Sequence, residues 1–286
     1  MKKYNWFTLF SYTFLAFVIF LLLLLLTILG AMDKTLLSEH FMENQAQKSL
    51  YYKGLAEEIT REIQDLGLGS NFPEEVFEEC IAQEQTKKEF NQYIVAVYHG
   101  RKNKLDKEFF EKNLTQRIES YMKKNQLAPE QLKESSKQQF IEQSYKRYAS
   151  YIELDILREF GQRASQFQHY FKFFYSIVGV SLMVVILLLY LILGKWIHRL
   201  LRYLSYSFIA TGLFCVLTAI SILYTAFYKK VAILSPSLYR FLTSYIETIL
   251  LNLGYLGVVI LFLGLVFATI SEAKRKKKIS HSYSFR

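Results

Sequence analysis

The chain has 286 residues, 35 lysines and arginines against 25 aspartates and glutamates, a formal net charge of +10, and only two cysteines. An isoelectric point near 9.3 points to nucleic acid or a membrane surface as partner. The charge positions decide for the membrane and exclude a nucleic-acid groove in the near-neutral middle of the chain, while two cysteines exclude a disulfide-rich scaffold.

In chain order, four uncharged hydrophobic segments, about 6–32, 173–194, 206–228 and 248–270, are each long enough to cross a bilayer's hydrocarbon core. The N-terminus (Lys2, Lys3), the connector near 195–205 (Lys195, Arg199, Arg202) and the tail over 271–286 (Lys274, Arg275, Lys276, Lys277, Lys278, Arg286) hold eleven cations against one acid, Glu272. These three pieces carry the whole net charge. By the positive-inside rule they are cytoplasmic, and residues 33–172 face outward. Residues 1–32 therefore read as a cytoplasmic N-terminus and a first transmembrane helix. Its apolar run is well beyond the roughly 7–15 residues of a cleaved signal core, so it reads as a retained anchor.

Residues 33–172 form an expected extracytoplasmic helical domain, which makes the fold class an all-α integral membrane protein. Leu55, Ile59, Ile63 and Leu66 recur at helical spacing, in a stretch that follows the first span without a breaker. Gly67 and Gly69 close that helix. Ser70 or Asn71 caps a short one, with Pro73 in its first turn and Val76, Phe77, Cys80 and Ile81 on its apolar side. A further helix carries Phe90, Tyr93, Ile94, Val97 and Tyr98. Asp106 caps the next, which buries Phe110, Leu114, Ile118 and Tyr121. Pro129 opens the last, whose stripe of Ile141, Tyr145, Tyr148, Ile152, Ile156, Phe160 and Phe167 runs on toward the second span at 173–194. The two membrane-flanking helices are expected to pair as a stalk. With no internal disulfide, the domain relies on its core or on a homo-oligomer.

The connector sets Ile197, Leu200, Leu201 and Leu204 against Lys195, His198, Arg199 and Arg202, the split of a short interfacial helix that attracts anionic headgroups or docks a cytoplasmic protein. Lipid contact is the plainer of the two readings. Trp6 and Trp196 fall at the cytoplasmic interfaces, where amphipathic rings settle. The third span, 206–228, offers a face of Thr211, Cys215, Thr218, Ile222 and Thr225. After a short outer loop at 229–247, in which Ser235 and Pro236 start a helix, the fourth span, 248–270, aligns Gly254, Gly257, Leu261, Gly264 and Ala268. Small residues on one face let another helix approach closely. Glu247 sits at the outer end, within reach of headgroup water. Asn252, deeper, is the strongly polar side chain inside a span, and helix-to-helix hydrogen bonding is its expected role.

Catalytic chemistry is not legible. The five histidines (His40, His99, His169, His198, His281) form no metal motif, and His40 with Glu43 is a lone pair. No GxSxG or Walker-type loop appears. Asp155 and Glu159 have the spacing of a solvated helix face, and Asn113-Leu114-Thr115 is a bare sequon. The chain is expected to be no enzyme and to need no metal or cofactor. Candidate partner or lipid contacts are Tyr145, Tyr148 and Tyr151 outside and Trp196, Arg199 and Arg202 inside, each set against a plainer packing or anchoring role.

Anchor span, outward domain, second span, basic connector, third span, outer loop, fourth span and inner tail follow one another in an order that resembles FtsX-like and MacB-like permeases. That resemblance is one of topology over most of the chain, without a shared motif. It implies a connector that docks a separate ATPase and an outward domain that transmits force to an envelope partner. A wholly helical outward domain departs from it, since those permeases mix helix and sheet there. The stretches DLGLGSNFPEEVFEE and FNQYIVAVYHG resemble uncharacterised Gram-positive-type membrane proteins, lysine outnumbering arginine points to a source with an AT-rich genome, and a bacterial plasma membrane is the expected location. The expected function is a non-catalytic sensor, adaptor or accessory subunit with a membrane or cytoplasmic protein partner. A permease subunit working with an ATPase comes second, and an envelope-structure or toxin-immunity protein third.

Overall fold

The computed structural model describes residues 6–70, 72–126, 134–194 and 196–283, and every regular element among them is helical. Among the described residues nine α-helices follow in order: α1 (Trp6–Lys34), α2 (Glu39–Lys48), α3 (Tyr51–Leu68), α4 (Gln83–Tyr98), α5 (Lys107–Lys124), α6 (Glu134–Ile152), α7 (Asp155–Leu193), α8 (Ile197–Thr225) and α9 (Pro236–Tyr283). Among the described residues four segments, within α1, α7, α9 and α8 with the turn after it, are long and apolar enough to cross a membrane. The expected positions Lys2, Lys3, Asn71, Pro129, Lys195 and Arg286 lie outside the described residues, as do the side chains of Trp6, His169, Lys277, Lys278 and His281.

Two compact units divide the chain. The first collects residues 1–36, 169–231 and 246–286, and with them the four apolar segments. Within it α1 lies along α8. Ser207 Oγ donates to the Ala16 carbonyl at 2.7 Å, and Tyr12 packs on Tyr203 with ring centroids 5.8 Å apart. Buried Ile19, Leu189, Leu193 and Leu204 form the core between α1, α7 and α8. Helices α8 and α9 cross at glycine. A Cβ on Gly212 would stand 2.6 Å from the Leu261 nitrogen, and one on Gly257 would stand 2.8 Å from Cys215 Cβ. So Gly257 and Gly264 face α8, but their partners are Gly212, Cys215 and Ile209. Of the expected face of Thr211, Cys215, Thr218, Ile222 and Thr225, Cys215 meets Gly257, whereas Thr211 turns to α1, with its hydroxyl 3.5 Å from the Phe20 carbonyl.

The second unit holds residues 37–168 and, separately, 232–245. Its caps are local chemistry: Ser38 Oγ accepts from the Phe41 amide at 3.2 Å, and Asp106 Oδ1 from the Phe109 amide at 3.0 Å. The stripe of α3 buries Leu55, Ile59 and Ile63, and α3 packs against α4 and α6.

Five local expectations change. The helix after the first span is not continuous with it, since α2 intervenes and the chain turns at Leu50, whose φ of 56° is left-handed. The short helix after Pro73 is a single 3-10 turn over Glu74–Phe77. The last helix expected in the 33–172 domain breaks at Glu153 and Leu154, where Tyr93 Oη donates to the Leu154 carbonyl at 2.6 Å. The apolar seams of α3 and α6 do pair, but neither helix is the extension of a span. The basic connector is the first turns of α8, and its Leu204 is buried in the core of the first unit. Finally, 232–245 is no free loop, because it completes the core of the second unit.

Candidate functional site

That completion begins at a proline. Pro236 stands at the first position of α9, where its missing N–H costs nothing. Ser235 Oγ accepts from the Leu238 amide at 3.1 Å and donates to Glu58 Oε2 at 2.6 Å, while the Ser237 amide donates to Glu58 Oε1 at 2.7 Å. The Glu58 carboxylate thus sits on the positive end of α9, a favourable place for an anion. A serine against a carboxylate can be read as an activated nucleophile, but here both groups are committed to capping the helix.

One turn on, Phe241 is wholly buried and stacks on Tyr51 at 4.9 Å, and Tyr51 meets Phe90 at 4.8 Å. Gly54 admits this contact, since a Cβ there would stand 2.9 Å from Ser237 Cβ. Tyr245 packs edge-on against Phe41 at 5.4 Å.

Beside this joint lies a groove of about 650 Å³. Tyr51, Leu55 and Leu154 form its base, Leu234, Pro236 and Leu238 one wall, and Arg61, Glu62, Asp65 and Arg147 its charged rim. Tyr151 Oη donates to Glu62 Oε1 at 3.3 Å, and Arg147 Nε lies 3.8 Å from Glu62 Oε2. The Tyr51 hydroxyl is buried with no hydrogen-bond partner among the described residues. Burial, and then the Glu58 charge, push its pKa far above the ordinary phenol range, so it is a neutral donor at any physiological pH. Leu234 is fully exposed at the lip. Mixed charge and an exposed leucine suit a polypeptide segment better than a small anion.

The candidate tyrosines separate. Tyr148 is 2 % exposed and donates to Glu89 at 2.8 Å, so it is closed to any partner. Tyr145 packs edge-on against Phe110 at 5.7 Å, with Lys107 Nζ 5.5 Å above its ring. Only Tyr151 lines the groove. Trp196 is exposed just before α8, the Arg199 guanidinium lies 4.7 Å over its ring, and Arg202 is half-buried. Gly254 makes looser contact with α8 than Gly257 does, an added Cβ standing 3.4 Å from Ala219, and Ala268 is half-buried on the same helix. Glu247 accepts from Lys229 at 2.7 Å and from Tyr228 at 3.0 Å. Cys80 and Cys215 are buried and free, with burial raising the Cys80 thiol to about 11. His40 and Glu43 meet at 3.5 Å, Asp155 pairs with Arg158, and among the described residues no three His, Cys, Asp or Glu side chains gather as a metal site would need.

Glu58, Phe241 and Gly212 escaped the sequence reading. Phe241 and Gly212 lie in stretches whose apolar character is explained by the neighbouring span alone, and Glu58 looks like any solvated helix carboxylate. The chain matches no family model, no curated protein and no solved structure.

Proposed function

We propose that this is a non-catalytic, multi-pass adaptor or sensor of a bacterial plasma membrane, with its basic pieces cytoplasmic and the 37–168 unit outside. One observation carries the reading: α9 is a single helix whose first ten residues belong to the core of the groove-bearing unit and whose continuation is the fourth apolar segment. A polypeptide seated in the groove against Leu234 and Pro236 acts directly on the capped start of that helix. A shift there is passed to the crossing of α9 with α8, and so to the helix that begins at Trp196, Arg199 and Arg202, which contact a cytoplasmic partner. Charge sidedness supports the orientation.

Two measurements test this. Cys80 is buried with a raised pKa and Cys215 lies in an apolar segment, so native thiols give a low labelling background. In intact cells Lys102→Cys should react with an impermeant maleimide, and Lys274→Cys only after permeabilisation. The reverse pattern overturns the orientation. In mild detergent the tagged chain should retain a partner that the Arg199→Glu/Arg202→Glu variant loses. A wild-type chain that always runs alone removes the adaptor reading, and ATPase activity in the retained partner would favour the permease-like alternative.

A further inference from the structure

Asn252 was expected to bond to a neighbouring helix, yet its exposed side chain has no hydrogen-bond partner among the described residues. It lines a pocket of about 500 Å³ in the first unit, bounded by α1, α9 and Tyr175 of α7. Tyr175 and Tyr255, also on this pocket, likewise have hydroxyls without a partner among the described residues. Thr27 and Thr35 line it too, but donate within α1, to the Leu23 carbonyl at 2.8 Å and the Ala31 carbonyl at 2.7 Å. Three side chains able to donate therefore converge on one opening with nothing to receive them. An amide or phenol facing hydrocarbon in that state is costly, so the site calls for an acceptor that the bilayer or a partner supplies.

The polarity of the pocket is graded along both helices. On α1 it runs from Lys34, at the helix end, to Leu26, about 12 Å deeper at 1.5 Å per residue. On α9 it runs from Asn252 to Ile260 over the same length. The charged cluster of Glu247, Lys229 and Tyr228 marks the polar level on α9, and Asn252 lies about 7.5 Å beyond it. An interfacial layer is roughly 5–8 Å thick on each side, so Asn252 sits where headgroup gives way to hydrocarbon. Lys34 is well exposed, and the Asp33 carboxylate reaches only to 3.9 Å from its ammonium.

A cation at the mouth, donors one layer in and an apolar floor beyond form the complement of one molecule class. We propose that this pocket holds a single bilayer phospholipid. Its phosphate lies at Lys34, its ester carbonyls accept from Asn252 and Tyr255, and an acyl chain lies along Leu26, Leu256 and Ile260. Ester carbonyls accept and do not donate, which matches the unsatisfied donors.

The test uses the full chain purified in mild detergent and titrated with phosphatidylglycerol under native mass spectrometry. One lipid should bind at about tenfold lower concentration than any further lipid. Asn252→Leu and Lys34→Gln should each remove most of that advantage. Tyr224→Leu, at an exposed site on α8 away from the pocket, should leave it intact. Equal lipid retention by all four proteins overturns the proposal. So does a lipid-free dimer in which Asn252→Cys forms an intermolecular disulfide, which would make a second copy the occupant.

Discussion

Glu89 is 3 % exposed, accepts from Tyr148 at 2.8 Å and from Gln85, and caps nothing. Burial raises its pKa, with the Tyr148 and Gln85 hydrogen bonds pulling the other way. A carboxyl whose folded pKa stands above its unfolded value of about 4.3 contributes fully below that value, and the contribution is lost as pH rises through the folded pKa. Glu89→Gln keeps an acceptor for Tyr148 and removes the titration. Its melting temperature should therefore exceed wild type near pH 8, with the gap closing toward pH 5, as followed by circular dichroism of the full chain in detergent. A gap that does not change with pH would show that burial does not raise the Glu89 pKa above its unfolded value. Tyr148→Phe leaves the carboxylate short of a donor and should cost about 1–3 kcal/mol. The same burial explains why Tyr148, a candidate contact by sequence, is a core residue. Helical spacing places it on the α6 stripe with Tyr145, and only the packing of α4 and α5 decides which of the two is covered.

Glycine contacts grade the crossing of α8 and α9. Where an added Cβ meets backbone under 3.0 Å, as at Gly212 and Gly264, neither helix can yield without separating. Gly212→Ala and Gly257→Ala should each lower thermal stability in detergent by about 1–3 kcal/mol. Gly254→Ala, with its nearest contact at 3.4 Å, and Gly179→Ala, with none within 4 Å, should stay within about 0.5 kcal/mol. Equal effects at all four would mean the helices do not cross here. Spacing on α9 was legible because small residues three and four apart are visible in one helix. Which α8 residues meet them was not, since Gly212 and Thr211 are adjacent and only the crossing angle sends one to α9 and the other to α1.

The discontinuous second unit makes a prediction about the whole molecule. A fragment of residues 37–168 lacks Phe241, Tyr245 and the Ser235–Ser237 cap on Glu58, and so exposes Tyr51 and Phe90. It should melt without cooperativity and bind a hydrophobic dye, and a peptide of residues 232–245 added in trans should restore cooperative melting. In the full chain Phe241→Ala should cost about 3–5 kcal/mol, the usual price of an emptied aromatic site. Cooperative melting of 37–168 alone would show that 232–245 is dispensable to the core.

Apolar length, charge asymmetry and helical periodicity are one-dimensional quantities. The four membrane-competent segments, the all-helical class and the caps at Ser235 and Asp106 could therefore be read without coordinates. Long-range pairing is not one-dimensional. Nothing local in Phe241 distinguishes a membrane-facing ring from one seated against Tyr51, and nothing local in Asn252 tells whether a neighbouring helix satisfies it. Only the tertiary structure decided these, because each depends on which other surface the folded chain brings within van der Waals or hydrogen-bond reach.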